Sequence, residues 1–180
     1  MACALTLLRL GVRDRDLYLF DTFTGMPEPS SADVSSPYDG YSPQRRWRRL
    51  SSAGREWAGV PTAAVRANLE STGYPPERIH LVPGLVEETL PREAPAAIAL
   101  LRLDTDWYAS TRHELEQLYP LLEPGGVLII DDYGHYEGAR RAVDEYFERL
   151  GSRPLLHRID YTGRVAVKHA VDARPATAGR

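Results

Sequence analysis

Three apolar runs in this chain end in aspartate, and that feature constrains its fold more than any other. Leu17-Tyr18-Leu19-Phe20 runs into Asp21, Ile98 to Leu103 into Asp104, and Val127-Leu128-Ile129-Ile130 into Asp131-Asp132. Short apolar runs bounded by such stops read as buried strands. Ile79-His80-Leu81-Val82 is a further strand, stopped by Pro83-Gly84. Helical patterns lie around and between them: Met1 to Leu10, Pro61 to Thr72, a short turn from Leu85 to Leu90, Ser110 to Leu122 and Glu137 to Leu150. Leu115, Leu118 and Leu122 share one helical face, as do Ala142, Val143, Tyr146, Phe147 and Leu150. Strands alternating with helices predict α/β architecture with a parallel sheet covered on both faces. Pro124-Gly125-Gly126 reads as a turn. Leu155–Ile159 and Arg164–Val167, joined by Asp160-Tyr161-Thr162-Gly163, predict a closing antiparallel hairpin.

With 180 residues the chain has the length of one domain, expected over 1–169 with a disordered tail over 170–180. Its net charge of -3 argues against gripping nucleic acid by bulk phosphate neutralisation. No run is long and apolar enough for a membrane span, and the first residues lack the charged region of a signal peptide, so a soluble cytoplasmic protein is expected. The single cysteine, Cys3, forms no internal disulfide and reads as a small buried residue. Lys168 is the only lysine, which reads as genomic base bias. Thr24 to Gly59 is rich in Pro, Ser, Gly and Asp yet carries Tyr38, Tyr41, Trp47 and Trp57. It reads as a partly ordered cover, with a floppy insertion as the alternative.

In an open parallel sheet, ligands bind beyond the carboxyl ends of the strands. Asp21, Asp104 and Asp131-Asp132 therefore gather along one rim. Clustered carboxylates repel one another unless they are protonated, solvated or neutralised by a cation, and hard oxygen donors select Mg²⁺ or Ca²⁺. The 27 residues between Asp104 and Asp131 allow neighbouring strands joined through one helix. Any single aspartate after a strand can equally be a helix N-cap. Asp21 can accept hydrogen bonds from ribose hydroxyls, or simply cap its own loop. His135 reads as an exposed loop residue or as a base or substrate contact, and His80 as a satisfied strand residue. The Arg45-Arg46-Trp47-Arg48-Arg49 run reads as a solvated loop face, with an anion contact as the alternative.

Phe20-Asp21-Thr22-Phe23-Thr24-Gly25-Met26-Pro27, GLVEETLP from Gly84, LRLDTDWYAST from Leu101 and GGVLIIDDY from Gly125, followed by Ala142-Val143-Asp144-Glu145-Tyr146, resemble the macrocin O-methyltransferase family. The resemblance runs to about Lys168. It implies a Rossmann-like S-adenosylmethionine-dependent methyltransferase fold, mostly parallel with a C-terminal antiparallel hairpin. It implies a Mg²⁺-dependent enzyme that methylates a sugar hydroxyl of a macrolide-type natural product. By the resemblance, Asp104, Asp131 and Asp132 are metal ligands and Asp106 the general base. Asp21 is the ribose contact with Thr22 and Phe23 beside the cofactor, and Gly84, Leu85 and Val86 lie along the adenine. The implied partner is a small glycosylated substrate, with no nucleic acid and no membrane, and a homo-oligomer fits the same reading.

Family members carry a first strand and a glycine-rich turn ahead of Leu17, and this chain starts at what reads as the helix after that turn. The expectation is a sheet opened in its middle. Two other readings follow: a truncated non-catalytic paralogue or partner subunit, and a nucleotide-sugar glycosyltransferase using Asp104-Thr105-Asp106 as its metal motif. The chain as given is predicted to bind S-adenosylmethionine poorly or not at all; calorimetric titration giving micromolar affinity would refute that.

Overall fold

The computed structural model describes residues 1–35 and 42–170. Tyr38, Tyr41 and the tail beyond Ala170 lie outside the described residues. In chain order the elements are α1 (Ala2–Arg9), β1 (Leu17–Asp21), α2 (Pro43–Ser52), α3 (Thr62–Glu70), β2 (Ile79–Pro83), α4 (Val86–Thr89), β3 (Ile98–Leu103), α5 (Tyr108–Leu118), β4 (Leu122–Ile130), α6 (Glu137–Leu150), β5 (His157–Arg158) and β6 (Arg164–Val167). They fall into two compact units.

The first unit, residues 1–27 and 50–89, holds the parallel pair β1–β2, with Leu17 opposite Ile79 and Asp21 opposite Pro83. Its core is Ala4, Leu69, Tyr74 and Ile79, with Leu7, Leu8, Leu17, Leu19, Val65 and Leu81 packed against it. This stripe turns Ala4 inward and leaves Cys3 exposed, so the expected burial of Cys3 is corrected. The two ends of the Thr24–Gly59 segment meet here, where the Met26 N–H donates to the Trp57 carbonyl at 2.8 Å. His80 pairs with Asp16 at 2.8 Å and stacks on Tyr18, the satisfied state expected of it.

The second unit, residues 28–49 and 90–180, holds a sheet of order β3-β4-β6-β5. β3 and β4 are parallel, and the β5–β6 hairpin adds antiparallel strands, as the sequence predicts. Leu101 and Leu103 are buried while Leu100 is 49% exposed, so β3 alternates instead of being covered on both faces. Helices α5 and α6 pack through Leu115, Leu118, Ala139, Ala142, Val143 and Phe147, all buried. Tyr146 and Leu150, expected in the same stripe, sit at its half-buried margin.

Among the boundaries that differ from the sequence reading, three have a local reason, and the strand read over Leu155–Ile159 shortens to His157–Arg158. Helix α2 stands where a loop was expected. Its arginines 45, 46, 48 and 49 are exposed around a half-buried Trp47, so it lacks the apolar stripe that announces a helix. Helix α5 gives way to a 3₁₀ turn at Tyr119–Leu121, because Pro120 has no N–H to continue it. Pro124-Gly125-Gly126 belongs to β4 rather than to a free turn. The Gly125 N–H donates to the Lys168 carbonyl at 2.8 Å, and the Lys168 N–H to Gly126 at 2.9 Å.

Lys168 itself is only 3% exposed. Its Nζ donates to the carbonyls of Tyr119 at 2.8 Å, Leu122 at 2.6 Å and Pro120 at 3.4 Å, and lies 4.8 Å from the centre of the Tyr119 ring. The lone lysine thus ties the turn before β4 to the end of β6, a structural role that base composition does not explain. Lys168→Met keeps the volume but strips three carbonyls of their donor. We expect a loss of about 2–3 kcal/mol in urea unfolding.

Candidate active site

The parallel pairing of β3 and β4 brings the acids together. Leu103 lies opposite Ile130, and the Asp131 N–H donates to the Leu103 carbonyl at 3.0 Å. Both strands therefore end at one level, and both continue directly into aspartates. Asp104, Asp106 and Asp132 each offer a carboxylate oxygen, all within 4.8 Å of one another. Asp131 adjoins Asp104 at the margin of this group, but its Oδ1 is held at 3.0 Å by Arg102 Nη2. Arg102 Nη1 meets Asp104 Oδ2 at 2.6 Å. The strand register thus gathers Asp104, Asp106, Asp131 and Asp132, but Asp21, expected on the same rim, ends β1 in the separate two-stranded sheet of the first unit, because β1 pairs with β2 alone.

The electrostatics follow from crowding and partial burial. Burial and the neighbouring Asp131 push the Asp104 carboxyl up to about 7, against the pull of Arg102. Burial raises Asp106 to about 6, while its hydrogen bond with Asp132 restrains the rise. Burial together with Asp106 pushes Asp132 up to about 9. Near neutral pH these groups share protons because they share a site. Burial opposes the charge of Arg102, but Asp104 and Asp131 outweigh it and hold its guanidinium above the usual value. Asp106 also takes a left-handed backbone conformation, φ 65°, which costs energy in a non-glycine residue.

Two loops hold the acids in place. After β3, Thr105 Oγ1 donates to the buried Glu114 carboxylate at 2.8 Å, and Trp107 is buried with its ring edge-on to Tyr136 at 5.1 Å. After β4, His135 is half-buried between Tyr136 and Tyr161, which corrects the exposed loop position expected of it. The cover segment contributes Asp33, 1% exposed. Its Oδ1 accepts the Tyr108 N–H at 2.7 Å, and its Oδ2 accepts the Ser30 N–H at 2.7 Å and hydroxyl at 2.6 Å. Helix α5 has no capping side chain of its own, so Asp33 caps it from 75 residues away. That cap lets α5 start two residues earlier than its sequence suggests. At the start of α6, a Cβ on Gly138 would lie 2.5 Å from Asp33 Oδ1, so only glycine lets the helix come this close. The Glu137 N–H donates to Val34 at 2.9 Å, and Ser35 pairs with Tyr136. Residues 30–35 are therefore pinned beside the acids, in keeping with an ordered cover.

The other candidate residues meet at the carboxyl end of β1 and β2. The Gly84 N–H donates to the Asp21 carbonyl at 3.0 Å, which sets Asp21, Thr22 and Phe23 against Gly84, Leu85 and Val86. Asp21 Oδ1 caps its own turn, accepting the Phe23 N–H at 2.7 Å, while the residue stays exposed. Gly84 takes φ 137°, which a side chain would strain. Phe23 and Val86 are buried beneath, and Leu85 is 36% exposed.

Arg102 and Asp33 are side chains of the candidate site that the sequence analysis does not single out. For Arg102 a signal existed: two residues before Asp104 on a strand, it shares that residue's face. For Asp33 none did, since its partner lies 75 positions away.

The Rossmann-like α/β fold is that of solved O-methyltransferases. The sequence model of the macrocin-O-methyltransferase (TylF) family matches residues 1–168, and the chain belongs to that family. It is 36% identical over 166 residues to the 8-demethyl-8-(2,3-dimethoxy-α-L-rhamnosyl)-tetracenomycin-C 4'-O-methyltransferase of Streptomyces olivaceus, covering 91% of this chain and 60% of that protein. It is 33% identical over 154 residues to the mycinamicin III 3''-O-methyltransferase of Micromonospora griseorubida, covering 84% and 57%. Among solved structures, the O-methyltransferase NovP superposes with a TM-score of 0.75 at 31% identity, over 91% of this chain and 64% of that one. The chain spans about three-fifths of the length of these relatives. Among the described residues no helix is long and apolar enough to cross a membrane.

Asp33→Ala removes the cap of α5 and leaves Tyr108 N–H and Ser30 N–H without their acceptor. We expect a loss of about 1–3 kcal/mol, read as a lower melting temperature.

Proposed function

We propose that this chain carries the machinery of an S-adenosylmethionine-dependent, Mg²⁺-assisted O-methyltransferase acting on a sugar hydroxyl of a glycosylated natural product. The observation that carries this reading is the convergence of Asp104, Asp106 and Asp132 within 4.8 Å, at the ends of two parallel strands, in a member of a sugar O-methyltransferase family. Family membership favours methyl transfer over the glycosyl transfer that Asp104-Thr105-Asp106 alone would also allow.

The donor set fits a hard divalent cation: all donors are carboxylates, and all three of the converging ones are held protonated more readily than usual. Asp104, Asp131 and Asp132 would hold the ion. Arg102 holds one oxygen of Asp104 and one of Asp131, and the two carboxylates also hydrogen-bond to each other. When bound, Mg²⁺ supplies the Lewis acidity that makes a neighbouring sugar hydroxyl easier to deprotonate. Asp106 then has the work of a base. At about 6, its carboxyl is ionised at neutral pH yet basic enough to take a proton from a hydroxyl within reach. Its side chain hydrogen-bonds to Asp132.

The β1–β2 end fits the cofactor's nucleoside. Asp21 is exposed beyond the strand with Oδ1 fixed by the Phe23 N–H, which orients the carboxylate to accept from ribose hydroxyls. The bare Gly84 backbone and Leu85 beside it would accept the flat face of adenine, with Thr22, Phe23 and Val86 supporting them. S-adenosylmethionine supplies the methyl group; the residues named supply its orientation.

Transfer of labelled methyl from S-adenosylmethionine, supplied in large excess because the chain as given is expected to bind it weakly, to glycosylated macrolide acceptors, with and without chelator, tests the reading. Asp106→Asn is expected to lower kcat by about 10²–10⁴-fold. Asp131→Ala is expected to abolish the Mg²⁺-dependent part of turnover, and retained turnover would remove Asp131 from the metal set. A pH experiment tests the cluster without substrate. Because the folded-state values of Asp104, Asp106 and Asp132 lie above the ordinary carboxylate range, their contribution to stability is full below about pH 4. It is lost as pH rises through about 6, 7 and 9. Mg²⁺ should therefore raise the melting temperature more near about pH 8.5 than near about pH 5.5, and should release protons on binding at neutral pH. An equal shift at both would count against Asp104 and Asp132 as ligands.

A further inference from the structure

We propose that Arg102 is a positioning residue of the divalent-cation site: its guanidinium grips one oxygen of Asp104 and one of Asp131 and thereby turns the other oxygen of each toward the ion. The inference rests on the metal reading above and assigns a role to a residue outside the set of ligands and base.

The geometry is that of a fork across two strands. Arg102 projects from β3 on the same face as Asp104, two residues on, and lies opposite Ile129 of β4 in the register. Nη1 takes Asp104 Oδ2 at 2.6 Å and Nη2 takes Asp131 Oδ1 at 3.0 Å. One planar group thus fixes a carboxylate from each strand end. A carboxylate held at one oxygen loses much of its freedom to rotate, and hydrogen-bonded outer residues commonly set the orientation of ligating side chains. Lysine would not substitute, because it presents a point charge rather than a rigid pair of donors.

Charge alone predicts the opposite role. A guanidinium beside a cation site repels the cation, so an arginine that merely neutralised crowded acids would weaken metal binding. Removing it would then tighten the site. Orientation and neutralisation therefore differ in the sign of their effect, and a measurement on the metal alone can separate them.

The test is calorimetric titration of Mg²⁺ into the wild-type chain, Arg102→Gln and Arg102→Lys, with circular dichroism and melting in chelator as controls for folding. The expected result is a Mg²⁺ affinity about 10–100-fold weaker in Arg102→Gln, and at least about 10-fold weaker in Arg102→Lys. Equal or tighter binding by Arg102→Gln overturns the inference and leaves the metal reading standing. Wild-type affinity in Arg102→Lys also overturns it, since charge would then suffice without the fork. If Arg102→Gln does not fold, Arg102→Lys decides by itself. A wild-type chain that takes no Mg²⁺ overturns the metal reading, and this inference with it.

Discussion

Everything proposed for the acid rim depends on one pairing, the parallel ladder between β3 and β4. Its register puts Leu103 beside Ile130, and so puts the residues that follow each strand at the same height. Shifting a strand by one residue would swap its side chains between faces. Arg102 would then leave the face of Asp131, and Leu101 and Leu103, both buried, would be driven to the open side. The hydrophobic cost of that slip protects the geometry of the carboxylates. Packing thus specifies a polar site whose own members repel one another.

That repulsion is the site's most informative property. Four aspartates with one arginine among them are poorly arranged for stability. Burial and mutual repulsion raise the carboxyls of Asp104, Asp106 and Asp132 above the ordinary range. Under the proposed reading, that cost in stability accompanies a cluster able to bind a cation or move a proton. The buried supports around it, Asp33, Glu114, Trp107 and Tyr136, show where that tension is contained.

Much of this was legible in the sequence, because it was written locally. Runs such as Val127 to Ile130, and the helix over Glu137 to Leu150, follow from short-range period and stop signals. Asp104, Asp131 and Asp132 follow from the same signals, as stops at strand ends, whereas the role expected of Asp106 comes from the family resemblance. What escaped was either non-local or unpatterned. Asp33 caps a helix 75 residues away, Lys168 clamps carbonyls some 46–49 residues away, and neither has a sequence neighbour that hints at its partner. Helix α2 was missed because its arginines outnumber its apolar residues, and the glycines at 125 and 126 read as a turn until their pairing with Lys168 is seen. Arg102 was visible in principle from strand alternation, yet an arginine in an apolar run draws less attention than the aspartate after it.

The burial of the only lysine has a practical consequence. A lysine-specific protease finds no accessible cleavage point in the folded chain, since Lys168 is enclosed by the carbonyls of residues 119 to 122. Scission after Lys168 would therefore report that this corner of the sheet has opened, whether alone or with the rest of the chain, making the residue a built-in gauge of unfolding.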